Sequence, residues 1–237
     1  MKRSEVKGVM VHLKVKDLSV SGQFFRSIGM ETVDGPVPGD LYLTDGTFML
    51  SLSTSDDISV GVVYLCDNPQ ELAVAYQGLS VLHPGKGPDR MSSRDASGTY
   101  LTLLACPNFA PKPLKGTAIG LCGNFFELSL ETERFDETVT FWEKAGYQVI
   151  YGKREEKNWV TLSDEWIKVG VYRQGTVDHP FRTPALTYFE KDMKDRIKLV
   201  KELGVPISYE LESPCKTGIT DAVLESPAGY HMFLFTA

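Results

Sequence analysis

Phe24-Phe25-Arg26-Ser27-Ile28-Gly29-Met30 returns in the second half of the chain as Phe141-Trp142-Glu143-Lys144-Ala145-Gly146-Tyr147. A weaker copy is Leu199-Val200-Lys201-Glu202-Leu203-Gly204-Val205, and the weakest is Ala73-Val74-Ala75-Tyr76-Gln77-Gly78-Leu79. Each copy reads as the end of an amphipathic helix. Apolar residues pack inward, polar ones face water, and a glycine accepts the left-handed conformation that stops the helix. A strand-like run precedes every copy. These runs are Val9 to Val15, Val60 to Leu65, Phe126 to Thr132 and Ala185 to Phe189. Their alternation and β-branched content predict strands. In the first, Asp17 or Ser19 is placed to cap the following helix.

Further strands are predicted after each glycine. In the first copy they are Leu41-Tyr42-Leu43 and Phe48 to Leu52, split by Thr44-Asp45-Gly46. In the third they are Trp159 to Leu162 and Trp166 to Tyr172, split by Ser163-Asp164-Glu165. The second and fourth units end with Thr99 to Leu103 after Gly98, and with Tyr230 to Phe235 after Gly229. The offsets between halves are near-constant: 117 residues from Gly29 to Gly146, 119 from Asp45 to Asp164, 126 from Gly78 to Gly204 and 131 from Gly98 to Gly229. Units one and two therefore recur as units three and four. Pro107-Asn108-Phe109-Ala110-Pro111-Lys112-Pro113 reads as an extended connector. The expected division is an N-terminal pair over 1–106 and a C-terminal pair over 117–237.

Composition removes several function classes. A net charge of −6 argues against a nucleic-acid partner, which needs a basic surface. No apolar run approaches the length of a membrane span, and Met1 to His12 carries no targeting core. Cys66, Cys106, Cys122 and Cys215 form no CxxC pair, so no zinc knuckle is signalled. The expected setting is the cytoplasm, with thiols reduced.

The βαβββ order, with a helix ending in aromatic-aromatic-x-x-x-Gly, resembles the vicinal oxygen chelate superfamily of glyoxalases, bleomycin-resistance proteins and extradiol dioxygenases. The residues carrying the resemblance are Val11, Leu13, Val15, Asp17-Leu18 through Ser21, Phe24-Phe25 and Gly29, and the match spans about residues 8–236. It implies an α+β fold of four βαβββ modules in two pairs, each pair an incomplete barrel around a cup. Members of that superfamily isomerise, cleave or rearrange small molecules at a divalent metal. Others bind drugs with no metal.

The resemblance also implies where metal ligands would sit: early in a unit's first strand, and four residues after the glycine that opens its last strand. Here those positions are Met10, Ser59, Glu127, Ala185, Thr102 and Phe233. Only Glu127 is a strong donor, so no metal and no cofactor is expected. Strand alternation keeps residues two apart on one face. His12 is expected to face the first cup, and His231 to share the second cup with Glu127. A Glu127–His231 pair is the candidate acid/base set. Tyr100 in the first cup, and Lys168, Tyr172 and Phe233 in the second, are the candidate ligand-binding residues. His83 and His179 read as loop residues beside prolines. The partner expected is a small, aromatic or apolar organic molecule, and a homodimer is compatible with the sequence. The alternative is a metal-dependent or acid/base enzyme of lyase, isomerase or dioxygenase type using Glu127 and His231.

Overall fold

The computed structural model describes residues 5–74, 83–84, 89–212 and 219–237. Gly78 and Cys215 lie outside the described residues.

Four βαβββ units follow one another. Unit one is β1 (Val6–Lys14), α1 (Leu18–Ser27), β2 (Glu31–Val33), β3 (Leu41–Thr44) and β4 (Met49–Ser53). Unit two is β5 (Gly61–Cys66), α2 (Pro69–Val74), β6 (His83–Pro84), β7 (Arg90–Arg94) and β8 (Tyr100–Ala105). Unit three is β9 (Asn124–Thr132), α3 (Phe135–Lys144), β10 (Gln148–Gly152), β11 (Trp159–Ser163) and β12 (Lys168–Arg173). Unit four is β13 (Ala185–Glu190), α4 (Met193–Glu202), β14 (Ile207–Glu212), β15 (Ile219–Glu225) and β16 (His231–Thr236). Units one and two form one eight-stranded sheet, β2-β3-β4-β1-β5-β8-β7-β6. Units three and four repeat that order as β10-β11-β12-β9-β13-β16-β15-β14. The first strands pair antiparallel across each sheet centre, and each pairs parallel with the last strand of its own unit. Neither sheet closes on itself.

The helix stops follow the sequence. Gly29, Gly146 and Gly204 take φ of 89°, 91° and 73° directly after α1, α3 and α4. At the start of α1 the Asp17 carboxylate accepts the Val20 amide, whereas Arg134 before α3 offers no side-chain cap. None of the described helices is long and apolar enough to cross a membrane.

Period-two alternation divides each sheet into two faces with different fates. Val11, Leu13, Leu128 and Leu130 join the helices in one continuous core drawn from both halves. Across that core, the turn aspartates before the last strands of units two and three join the halves. Asp95 caps its own turn and accepts the Trp142 indole N–H at 2.9 Å. Asp164 caps its turn and accepts the Tyr64 hydroxyl at 2.5 Å, which also meets the Tyr147 hydroxyl at 2.5 Å. Phe48 stacks on Phe125 at 4.0 Å. The opposite faces, carrying Met10 and His12 or Glu127 and Ser129, line the cups.

Candidate functional site

The first cup is filled by its own side chains. Met10, Tyr42, Met49, Ile58, Val63, Leu65, Leu104 and Cys106 form a separate buried cluster, covered by Val33, Val37 and Phe109. His12 is fully buried within this half. Its Nδ1 lies 3.1 Å from Ser51 Oγ, and its Nε2 has no hydrogen-bond partner among the described residues. Burial pulls its imidazole down to about 4, against a smaller upward influence from the Ile58 backbone. Tyr100 lies at the margin, partly exposed, with the Arg94 guanidinium 5.8 Å from its ring centroid. Thr102 is buried and bonded to Ser92 at 2.9 Å.

The second cup is built differently. Glu127 is fully buried, and three hydroxyls donate to it. Ser129 reaches Oε1 at 2.9 Å, Tyr172 reaches Oε1 at 2.7 Å, and Thr161 reaches Oε2 at 2.8 Å. Ser129 Oγ also lies 2.6 Å from Thr187 Oγ1. Burial pushes the Glu127 carboxyl upward, and the Tyr172, Thr161 and Ser129 hydroxyls and the Lys168 charge oppose it. Burial and the adjacent Glu127 push the Tyr172 phenol upward too. Gly170 makes the arrangement fit, since a Cβ there would lie 2.0 Å from Glu127 Oε1.

A β-bulge sets the walls. Thr187 pairs with Glu127 and Tyr188 with Phe125, which leaves Phe126 as the extra residue of β9. Its ring turns to the cup side and meets Phe189 at 5.0 Å and Tyr151 at 5.9 Å. Opposite, Trp159 and Tyr172 are cross-strand partners with rings stacked at 6.4 Å. Phe126, Tyr151, Trp159, Thr161, Tyr172 and Phe189 enclose an open cavity of about 280 Å³. Thr161 and Tyr172 thus connect this cavity to the carboxyl group behind it.

Glu127 and His231 share the cup face but make no hydrogen bond with each other. Two strand spacings and a two-residue offset put their backbones on the order of 12 Å apart. Strand β13 comes between, and Phe233 stands beyond Thr187 at the far end of the row of Glu127. His231 Nδ1 accepts the Arg182 amide at 3.2 Å and lies 3.2 Å from the Pro180 carbonyl. Burial pulls its imidazole downward, with the Glu225 charge opposing. Lys168 projects its ammonium over Phe126, 4.4 Å from the ring centroid. Phe233 packs beneath a loop, with His179 at 4.5 Å and Phe181 at 4.9 Å.

No family model and no curated protein matches the sequence. Solved structures do match its shape. A catechol 2,3-dioxygenase superposes with a TM-score of 0.58 at 12% identity, over 98% of this chain and 88% of that one. The Mn(II)-bound glyoxalase from Novosphingobium aromaticivorans gives 0.63 at 15% identity, over 98% and 82%. The 2,3-dioxygenase LapB from Pseudomonas sp. KL28 gives 0.63 at 13% identity, over 98% and 93%. The chain has the vicinal oxygen chelate fold. At these identities the likeness concerns architecture, and chemistry has to be read from the cups.

Metal-dependent proteins of the vicinal oxygen chelate fold need several donors converging in a cup. Here the row through Glu127 continues with Thr187 and Phe233. In the first cup the corresponding row is Met10, Val63 and Thr102. Strand register thereby corrects two positions reached by counting. Thr187, not Ala185, is level with Glu127, and Ser59 precedes β5, leaving Val63 in the row. The row does not sit at one place in every unit: it lies eight residues before the first residue of α1 and α3 but six before that of α2 and α4. Both Glu127 oxygens are already engaged by hydroxyls, and the described residues contain no group of three or more His, Cys, Asp or Glu able to hold a metal. This donor set does not fit a three-ligand metal centre.

Counting along strands missed Phe126, Tyr151, Trp159, Thr161 and Phe189 as wall residues. Trp159, Thr161 and Phe189 carried a usable signal, being in phase with Glu127 or Tyr172 on strands already predicted. Phe126 carried none, because alternation without a bulge sends it to the other face. His179 is drawn into the aromatic cluster by its loop, which strand patterning does not address.

Proposed function

We propose that the C-terminal half binds a small, flat aromatic or apolar organic molecule in the cavity between Phe126 and Phe189 on one side and Trp159 and Tyr172 on the other. The observation that carries this reading is an aromatic cavity open to solvent and joined through Thr161 and Tyr172 to one buried carboxyl group. Apolar walls with a few placed polar groups are what a pocket for a small organic ligand requires. The first cup has the same strand order, but Met10, Tyr42, Val63 and Leu104 pack its centre, and the cavities of about 580 and 570 Å³ at its edge run under Pro111, Lys112 and Pro113 of the connector without reaching a buried carboxyl group, which favours the second cup as the binding half. The donor set supports a binding mode without the three-ligand metal centre. The arrangement also favours binding over acid/base turnover by Glu127 and His231, since His231 does not line the cavity that Glu127 backs.

Ligand-observed NMR with a panel of one- and two-ring compounds tests the reading. Trp159→Ala or Phe189→Ala should weaken binding by roughly tenfold, the loss expected for removing a ring from a small pocket. Tyr42→Phe in the first cup should leave it unchanged. Binding indifferent to both second-cup substitutions would overturn the assignment. Elemental analysis of protein prepared without added metal should find divalent metal well below one per chain, and stoichiometric metal would overturn the metal-free part.

A further inference from the structure

We infer that the ligand of this cavity carries a protonated amine, so that the second cup is a site for a small organic ammonium compound. The inference rests on the binding reading above and adds the charge of the ligand.

The argument begins with the hydroxyl protons. Tyr172 and Thr161 line the cavity, and each has one proton, directed at Glu127 over 2.7 and 2.8 Å. A hydroxyl that has given its proton to a carboxylate presents only lone pairs elsewhere. These two groups can therefore accept from a ligand but not donate to it. A carboxylate or phosphate group of a ligand would meet acceptors there. An N–H or O–H group would be satisfied.

The walls point the same way. Five of the six lining residues are aromatic, and the face of an aromatic ring is its electron-rich side. Phe126 already demonstrates the preference, holding the Lys168 ammonium 4.4 Å from its centroid. The last element is the carboxyl group itself. Among the described residues Glu127 has no salt bridge, and its partners are hydroxyls. A carboxylate at that depth is stabilised by a nearby positive charge. An ammonium bound against Thr161 and Tyr172 would supply that charge through one hydroxyl layer. Lys168 acts on Glu127 only through its field and as the smallest of the opposing influences, its ammonium being held over Phe126. An N–H-bearing ammonium suits the site better than a quaternary one, because the two hydroxyl acceptors need donors.

The test uses three probes of one shape and different charge: 2-phenylethylamine, 2-phenylethanol and 3-phenylpropanoate. Binding to the intact protein at pH 7 is followed by calorimetry and by tryptophan fluorescence. The amine should bind roughly tenfold more tightly than the alcohol, and the carboxylate most weakly, on the scale of a desolvated cation–π contact. In Glu127→Gln the amine should lose most of its advantage over the alcohol. Equal binding of amine and alcohol, or preference for the carboxylate, would overturn the inference while leaving an apolar binding cup intact. Failure of all three to bind would remove the underlying reading as well. If Glu127→Gln does not fold, the order of the three probes on the unaltered protein decides the matter.

Discussion

The two cups are built on one strand order, yet they bury opposite kinds of group. At matching places on the first strands stand Met10 and His12 in one half and Glu127 and Ser129 in the other. Beside them, the parallel neighbour is Ser51 opposite His12, but Gly170 opposite Ser129. Ser51 gives His12 one polar contact, and Met10 fills the space with apolar atoms. Gly170 leaves a gap into which the Glu127 carboxyl folds. The difference teaches that a repeat can preserve backbone and register while a few side chains decide whether a cup becomes core or site. In the first half, Ile58, Val37 and Phe109 arrive from loops to complete the packing. In the second, the bulge at Phe126 and the exposed Tyr151 and Trp159 keep a cavity open.

The sharpest way to break this contrast is Glu127→Ala. The buried Ser129 and Thr161 and the half-buried Tyr172 would lose their common acceptor, at a loss of about 3–5 kcal/mol in urea unfolding. A loss comparable to that of an ordinary surface substitution would show that the carboxyl does not organise the second cup.

Acid titration separates the cups by sign. His12 stays neutral in the folded chain down to about 4, whereas an unfolded imidazole takes a proton near 6.5. The unfolded chain then binds the extra proton, so stability is complete above pH 6.5 and falls as pH drops toward 4. The fall from this one group is about 3 kcal/mol. Glu127 acts oppositely. Its carboxyl is raised above 4.5, so its contribution is complete below pH 4.5 and is lost as pH rises through the raised value. Urea midpoints measured from pH 4 to 8 should lose the His12 component in His12→Leu and the opposing component in Glu127→Gln. An unchanged profile in His12→Leu would mean that the imidazole is not the group responsible.

The smallest expected effect is that of Gly170→Ala. The added methyl group collides with the carboxyl and should cost about 1–3 kcal/mol while disturbing the second cup. It should leave the Tyr42 and His12 environments of the first cup unmoved in NMR spectra. A neutral result would mean that Glu127 can relax away from its hydroxyls without penalty.

Much of this architecture was legible in the residues. The glycines after α1, α3 and α4, the alternation of β1, β9 and β16, and the turn aspartates are local signals, and local signals survive in a single sequence. The placing of Glu127, Phe233, Lys168 and Tyr172 on the second cup's face followed from parity alone. Two-residue parity, however, carries no information about distance between strands. Glu127 and His231 therefore looked like partners, while strand order sets them two strands apart.

The sequence by itself determined the four units, their pairing by halves and the acidic residue on the cup face of β9, because each is written in periodicity and spacing along the chain. Only the tertiary structure decided that the first cup is filled and the second open, and that three hydroxyls converge on Glu127. Those outcomes depend on bulges, strand register and loops folding back, where residues distant in sequence compete for the same volume.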